Sequence, residues 1–199
     1  IVILWLLLFV AAWFVLRGRA VSLFKAVREP TLLAFSTASS EAAYPKTLAL
    51  LERFGCSNRI ASFVLPLGYS FNLDGSMMYC TFATVFIAQA YGIELSLAQQ
   101  MTMLLILMVT SKGMAGVPRA SLVVIAATLA QFNIPEAGLL LLLGIDHFLD
   151  MARSATNVIG NSVATAVVSK WEGQLRTEDQ VAADLENATE PTPPHHGIG

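Results

Sequence analysis

The chain is 199 residues long, 55% hydrophobic and 13% charged, with a mean hydropathy of +0.63 and a net charge of −2. Soluble domains carry about a quarter of their residues as charges, so this composition excludes an ordinary soluble domain and places the chain in a membrane. The net charge itself says little about partners, and no nucleic-acid partner is expected.

Residues 1–28 open with an apolar run, 2–16, ending at Arg17-Gly18-Arg19. This predicts a transmembrane helix running outside to inside, followed by a cytoplasmic linker. The run begins without an initiator Met or a charged lead, which predicts a fragment whose upstream helices are missing.

Residues 29–58 begin and end in charge and are too short for two crossings and a turn. A first re-entrant hairpin fits, with Ser36-Thr37-Ala38-Ser39-Ser40-Glu41 at its tip and Pro45 just beyond. Residues 59–93 predict a transmembrane helix broken at Asn72-Leu73-Asp74-Gly75. Residues 94–134 predict a second re-entrant hairpin, the gate, interrupted at Ser111-Lys112-Gly113-Met114-Ala115-Gly116-Val117-Pro118.

Residues 135–172 predict the last span, polar despite its position, and residues 173–199 a disordered cytoplasmic tail that is acidic and rich in proline. Seven of the twelve Lys and Arg lie between Arg17 and Arg59, and Lys170 and Arg176 follow the last apolar segment. The positive-inside rule then puts the first and last regions in the cytoplasm and the two connections without basic residues outside. Cys56 and Cys80 have neither disulfide nor metal spacing and are expected to be reduced, packed thiols.

Hairpin, broken helix, hairpin, polar helix, with the hairpins entering from opposite faces, is an inverted repeat of the kind secondary transporters use to build a site near the midplane. Irregular backbone at that depth has to line a cavity or be buried in protein.

Asp146, Asp150, Arg153, Asn157 and Asn161 fall at roughly 0°, 40°, −20°, 20° and 60° around a helix, on one face. A charge at the centre of a membrane helix costs about 2.5–3.5 kcal/mol on insertion scales. The stripe therefore needs a partner, a cavity or a ligand. One reading is internal pairing, with Arg153 bridging Asp146 and Asp150; the other is a binding face. In the second, the Arg153 fork suits a carboxylate and Asp150 suits an ammonium.

Asn72 and Asp74 beside Gly75 free backbone carbonyls that can coordinate a small cation, unless they form only a buried cap. The two hairpin tips aim half-helix dipoles inward, which suits an anionic substrate; packing of small residues alone explains either tip, but hardly both together. His147 lies off the stripe, near 100°, and either snorkels or pairs with Asp146. His195 and His196 sit in the tail and are assigned no role.

These motifs resemble the dicarboxylate/amino acid:cation symporter family across nearly the whole chain. Ser39-Ser40 resembles the serine-rich motif of the first hairpin, and Asn72-Leu73-Asp74-Gly75-Ser76 resembles the family's Asn-x-Asp-Gly-Thr motif. Ala115-Gly116-Val117-Pro118 resembles the second hairpin tip, and Asp150-Met151-Ala152-Arg153 with Asn157 the last-helix substrate motif.

The resemblance implies an all-α integral membrane fold, the moving transport domain of an elevator, with two re-entrant hairpins and discontinuous transmembrane helices in inverted repeat. It implies a homotrimer assembled through the missing N-terminal scaffold, in a bacterial inner membrane. Substrate contacts are implied at Ser39, Ser40, Ser76, Gly116, Asp150, Arg153 and Asn157, with Arg153 on the side-chain carboxylate and Asp150 on the amino group. Cation or proton coupling is implied at Gly68, Ser70, Asn72, Asp74, Ser111, Asn157, Asn161, Glu41 and Asp146.

Dicarboxylate-specific relatives resemble this chain but lack the acid at Asp150, and neutral amino acid relatives lack the arginine. Both together imply an acidic amino acid, L-glutamate or L-aspartate. Asn161 stands where sodium-coupled members have Asp, and Cys80 where animal members have a potassium-linked Glu. This implies closeness to bacterial proton/glutamate symporters, with Glu41, Asp74, Asp146 or His147 as the proton carrier. No cofactor is expected beyond the co-transported proton or sodium. Met114 and Arg119 depart from the family pattern in the gate.

The alternatives are a C4-dicarboxylate symporter, a passive anion channel and a membrane hydrolase built on Ser39 or Ser40 with His147. The hydrolase has no Gly-x-Ser-x-Gly elbow to support it, and the chain is not expected to be an enzyme.

Overall fold

The computed structural model describes residues 1–112, 114 and 119–189, with side chains up to residue 183. Helix α1 (Val2–Leu16) and the short α2 (Arg19–Ala26) turn on Arg17, which takes a left-handed φ of 52°. Helix α3 (Arg28–Thr37) stops at Ala38, also left-handed at φ 50°, and a single 3-10 turn (Glu41–Ala43) leads into α4 (Tyr44–Phe54). Pro45 sits in the first turn of α4, where its missing N–H leaves no intrahelical bond unmade. Lys46 pairs with Glu29, tying the two arms together.

Helix α5 (Asn58–Phe71) is capped by the Ser57 hydroxyl and gives way at Asn72 and Leu73, both outside helical backbone angles. The break is narrower than the sequence pattern suggests, because Asp74 and Gly75 already belong to α6 (Asp74–Ala90). Helix α7 (Leu97–Thr110) starts from a capping box of Ser96 and Gln99, and α8 (Ala120–Gln131) follows the interrupted segment. The Ala115-Gly116-Val117-Pro118 tip, with Gly113, lies outside the described residues.

The span expected as one piece over 135–172 is divided in the structure. A 3-10 turn (Glu136–Leu139) and the four-residue α9 (Leu140–Leu143) end at Gly144, and α10 (Asp146–Trp171) begins after Ile145. The division puts the Asp146 carboxylate in the first turn of α10, where the helix dipole favours it.

Helix α10 is the hub: it packs on α1, α3, α5 and α6, and every residue from Arg153 to Val163 is buried. One apolar core joins α1, α2, α4 and α5 to Ile159, Val163 and Ala166 of α10. A second joins α6, α7, α8 and α9. Outward, the surface is apolar: Val2, Phe14, Phe63, Phe82, Val109 and Val123 are all exposed. Among the described residues no helix is long and apolar enough on its own to cross a membrane.

The tail needs correction. Residues 173–199 were expected to be disordered, yet α11 (Glu178–Thr189) is helical and packs against α4. Its approach is fixed by partners remote in sequence. The Arg176 N–H donates to the Gly55 carbonyl at 3.0 Å, Arg19 Nη1 donates to the Arg176 carbonyl at 2.5 Å, and Ser57 donates to Gln174 at 2.7 Å. Composition alone carries no trace of these bonds. Residues 190–199, with His195 and His196, lie outside the described residues.

Candidate substrate and cation site

The polar stripe of α10 faces the break between α5 and α6. Arg153, fully buried, donates from Nε to Asp150 Oδ1 at 2.6 Å, holds Nη2 2.5 Å from the same oxygen, and donates from Nη1 to Ser76 Oγ at 2.8 Å. Asn157 Nδ2 donates to the same Ser76 hydroxyl at 2.9 Å. Its Oδ1 accepts the backbone N–H groups of Gly75 at 2.9 Å and Ser76 at 3.3 Å. Asn157 thus satisfies amide groups that the first turn of α6 leaves without intrahelical partners.

This approach requires glycine. A Cβ on Gly75 would collide with the Arg153 carbonyl, and one on Gly160 with the Asp74 carboxylate. The α6 start and the middle of α10 therefore meet backbone to backbone, with the half-buried Asp74 held against Gly160.

One helical turn on, Asn72 Nδ2 donates to Asn161 Oδ1 at 3.1 Å. Asn161 is 1% exposed, and its Nδ2 is a buried donor without a hydrogen-bond partner among the described residues. Gly68 sits directly against the Asn161 side chain.

Towards the other end of α10, Asp146 is fully buried and accepts a 2.6 Å hydrogen bond from the Tyr79 hydroxyl; Arg119 Nε lies 3.7 Å from its second oxygen. Arg119 also donates its backbone N–H to Asp150 Oδ2 at 2.8 Å. Of the internal-pairing reading, in which Arg153 bridges both acids, the ion pairs among the described residues give the Asp150 half alone, while Asp146 lies beside Arg119.

The first hairpin reaches α10 through Ala34 and Ala43 packed on Val158. Ser40 is fully buried there, and its hydroxyl has no hydrogen-bond partner among the described residues; Ser39 accepts from the Ala42 N–H at 3.3 Å. Ser111 is buried at the end of α7. The remaining expected residues are more peripheral: Ser70, Glu41 and His147 are exposed, and the His147 ring lies edge-on to Phe148. Gly116 falls outside the described residues. Tyr79 and Lys112 were not singled out from the sequence, because their partners are 67 and 41 positions away.

Both cysteines are free and buried. No group of three or more His, Cys, Asp or Glu able to hold a metal converges among the described residues. What the described residues of the site offer is the buried Arg153 guanidinium with the exposed Arg119 beside it, two enclosed carboxylates, hydroxyls and amides with unfilled bonding capacity, and interrupted helix ends.

Residues 1–171 match the family described as Sodium:dicarboxylate symporter family. The chain belongs to that family. It is a family of membrane transporters, not enzymes.

Among its relatives, a "Proton/sodium-glutamate symport protein" of Bacillus caldotenax is 54% identical over 166 residues, covering 82% of this chain and 39% of the relative. A "C4-dicarboxylate transport protein" of Laribacter hongkongensis is 50% identical over 173 residues, covering 86% and 38%. A "Proton/glutamate-aspartate symporter" of Escherichia coli is 48% identical over 164 residues, covering 82% and 38%. The chain thus spans about two fifths of the length of the curated relatives it matches.

Proposed function

We propose that the chain is the transport domain of a symporter that carries L-glutamate or L-aspartate with protons in preference to sodium. The observation that carries this reading is the fully buried Asp150–Arg153 pair. Removing one member of such a pair typically costs about 3–5 kcal/mol, because the other is left as a buried uncompensated charge. A zwitterion with a side-chain carboxylate replaces both partners at once: the carboxylate takes the Arg153 fork and the ammonium takes Asp150. Asn157, Ser76 and Ser40 offer the remaining polar contacts, with Ser39 and Gly116 at the two tips.

The working unit in this reading is a homotrimer in the bacterial inner membrane, its scaffold supplied by chain outside this sequence. Helices α3–α4 and α7–α8 are re-entrant hairpins entering from opposite faces, and the domain moves as an elevator with the second hairpin as the extracellular gate. The tail is cytoplasmic. Exposed apolar side chains on α1, α5, α6 and α7 support contact with lipid or scaffold. Asp146, Asp74 and Glu41 are the carboxylates available for proton coupling. Asn72, Gly68, Ser70, Ser111 and Asn161 are the oxygen-bearing positions around the broken helix.

A C4-dicarboxylate substrate is the second reading, favoured by relatives of that description at about 50% identity. Uptake of labelled L-glutamate by the full-length parent in proteoliposomes separates the two. Uptake on an inward proton gradient alone, resistant to succinate, supports the first reading. Strong succinate competition transfers the assignment to dicarboxylates, and uptake only on sodium replaces the proton.

A further inference from the structure

Far from the polar stripe, α2, α4 and α11 enclose a cavity of about 340 Å³. Its apolar wall includes Leu50, Phe54 and Val181, and its charged groups are Arg19, Arg53 and Glu178. Arg19 is fixed there: its guanidinium stacks over the Phe54 ring at 4.5 Å and donates to the Phe54 and Arg176 carbonyls. Its Nε is a buried donor without a hydrogen-bond partner among the described residues, and the Glu178 carboxylate stands 3.9 Å away. Arg53 is exposed and makes neither an ion pair nor a hydrogen bond among the described residues.

Two guanidiniums therefore share one carboxylate, and the cavity keeps a net positive charge and unfilled donors beside an apolar wall. A small inorganic anion would leave Leu50, Phe54 and Val181 bare, and an apolar ligand would leave Arg53 unanswered. An amphiphile with a phosphate satisfies both, because a guanidinium fork matches phosphate oxygens.

The cavity also lies at the right depth. Trp13 in the last turn of α1 and Trp171 at the end of α10 are exposed, next to Arg17 and Lys170. Exposed tryptophans beside basic residues mark the headgroup level of a membrane protein. Arg19 follows α1 directly and is bonded to the end of α4, and Arg176 follows α10 and donates to the Glu52 carbonyl. The cavity is thereby tied to that level through both helices.

We propose that the cavity is a binding site for an anionic phospholipid of the surrounding leaflet, with Arg53 and Arg19 on the phosphate oxygens and the glycerol and upper acyl chain against Leu50, Phe54 and Val181. The proposal needs the membrane placement of the family but not the choice between glutamate and dicarboxylate, so an uptake result on substrate leaves it standing.

The test uses full-length protein in detergent and a phosphatidylglycerol with a photoactivatable group near its glycerol; crosslinked segments are identified by peptide mass spectrometry. Labelling is expected on the segments that hold Leu50 and Val181, displaced by unlabelled phosphatidylglycerol far better than by phosphatidylethanolamine. Arg53→Gln is expected to lower this labelling about tenfold or more, the scale of a lost charge-assisted hydrogen bond, and Arg53→Lys to recover part of it. Arg59→Gln, an exposed cation that does not line the cavity, is expected to leave it unchanged. Ala182→Trp, which narrows the cavity with every charge in place, is expected to block it.

Equal losses from Arg53→Gln and Arg59→Gln, about fivefold each, are the mark of diffuse attraction to a basic surface and overturn the proposal. So does displacement by inorganic phosphate as effective as by the lipid, which makes the site one for a soluble anion, or equal displacement by phosphatidylethanolamine. If Arg53→Gln does not fold, Ala182→Trp decides, and labelling that it leaves intact places the lipid elsewhere and sinks the idea.

Discussion

Arg119 and Asp150 are joined by a 2.8 Å hydrogen bond from the backbone N–H of one to the carboxylate of the other. Arg119 holds a left-handed φ of 64° at the start of α8, and its side chain reaches Asp146 on the same face of α10. The acid proposed to receive the substrate ammonium is thus also the acid that accepts the backbone N–H at the start of α8.

Asp150→Asn tests the substrate. It keeps the shape and an acceptor for the Arg119 N–H but removes the charge that faces Arg153. Glutamate affinity is expected to fall about 30-fold or more, in line with losing a buried charge pair, while succinate binding is retained or improved. Competition binding with both ligands on full-length protein checks this, and equal losses for both would point away from ammonium recognition.

Ser76→Ala removes the hydroxyl on which Arg153 and Asn157 converge. Two buried donors then lose their acceptor, at about 1–3 kcal/mol each. A lower thermal midpoint together with at least tenfold weaker substrate binding is expected. Ser76→Thr, which keeps the hydroxyl, is expected to recover most of the binding.

Gly75→Ala places a methyl against the Arg153 carbonyl, where the neighbour is backbone and cannot swing aside. Forcing α6 off α10 breaks the hydrogen bonds to Asn157 Oδ1, so the variant is expected to be severely destabilised or to misassemble. Size-exclusion profiles of Gly75→Ala beside Gly18→Ala provide the comparison, because a Cβ on Gly18 meets nothing within 4 Å.

Asn161→Asp tests the cation. A carboxylate in place of the Asn161 amide, whose Nδ2 has no hydrogen-bond partner among the described residues, adds a charged oxygen ligand beside Asn72 and Gly68. Glutamate uptake is expected to become stimulated by sodium several-fold. An uptake rate that stays indifferent to sodium, in a variant that still binds glutamate, counts against Asn161 as the position that sets coupling.

Cys56 lies at the α4–α5 junction, under the segment that leads to α11. Burial pushes its thiol above the usual range, and Ser169, then Arg19 and Arg176, pull it only partly back. Since the thiolate is the species that reacts, a raised value means less thiolate at any given pH, so alkylation at pH 7.5 is expected to be slow and to accelerate only in more alkaline solution. Truncation after Gly173 removes the Leu175 contact and Arg176. It is expected to speed alkylation of Cys56 at least tenfold, measured by peptide mapping; an unchanged rate would mean that this segment does not cover the thiol.

What the sequence disclosed was whatever repeats locally. Asp146, Asp150, Arg153, Asn157 and Asn161 share a face because helical spacing puts them there, and all five are buried in α10. Asn72 and Leu73 interrupt the helix where an oxygen-rich tetrapeptide suggested a break.

Contacts between distant segments were not legible. Tyr79 reads as one more apolar residue of α6 until its hydroxyl meets Asp146, and Arg119 reads as an oddity of the gate until its N–H meets Asp150. The order of α11 depends on Arg19, Glu52 and Gly55, more than a hundred residues upstream.

The two apolar cores are attached to α10 in different ways. The core around α1, α2, α4 and α5 includes Ile159, Val163 and Ala166, whereas the core around α6 to α9 meets α10 chiefly through partly buried Leu149. On that side the join is made by Tyr79, Arg119 and Ser76 bonding to Asp146, Asp150, Arg153 and Asn157. Oil between surfaces resists wetting, but hydrogen bonds can be traded for water at nearly even exchange. The α6–α8 flank is therefore the side along which the molecule can be peeled open and flooded while the other stays dry.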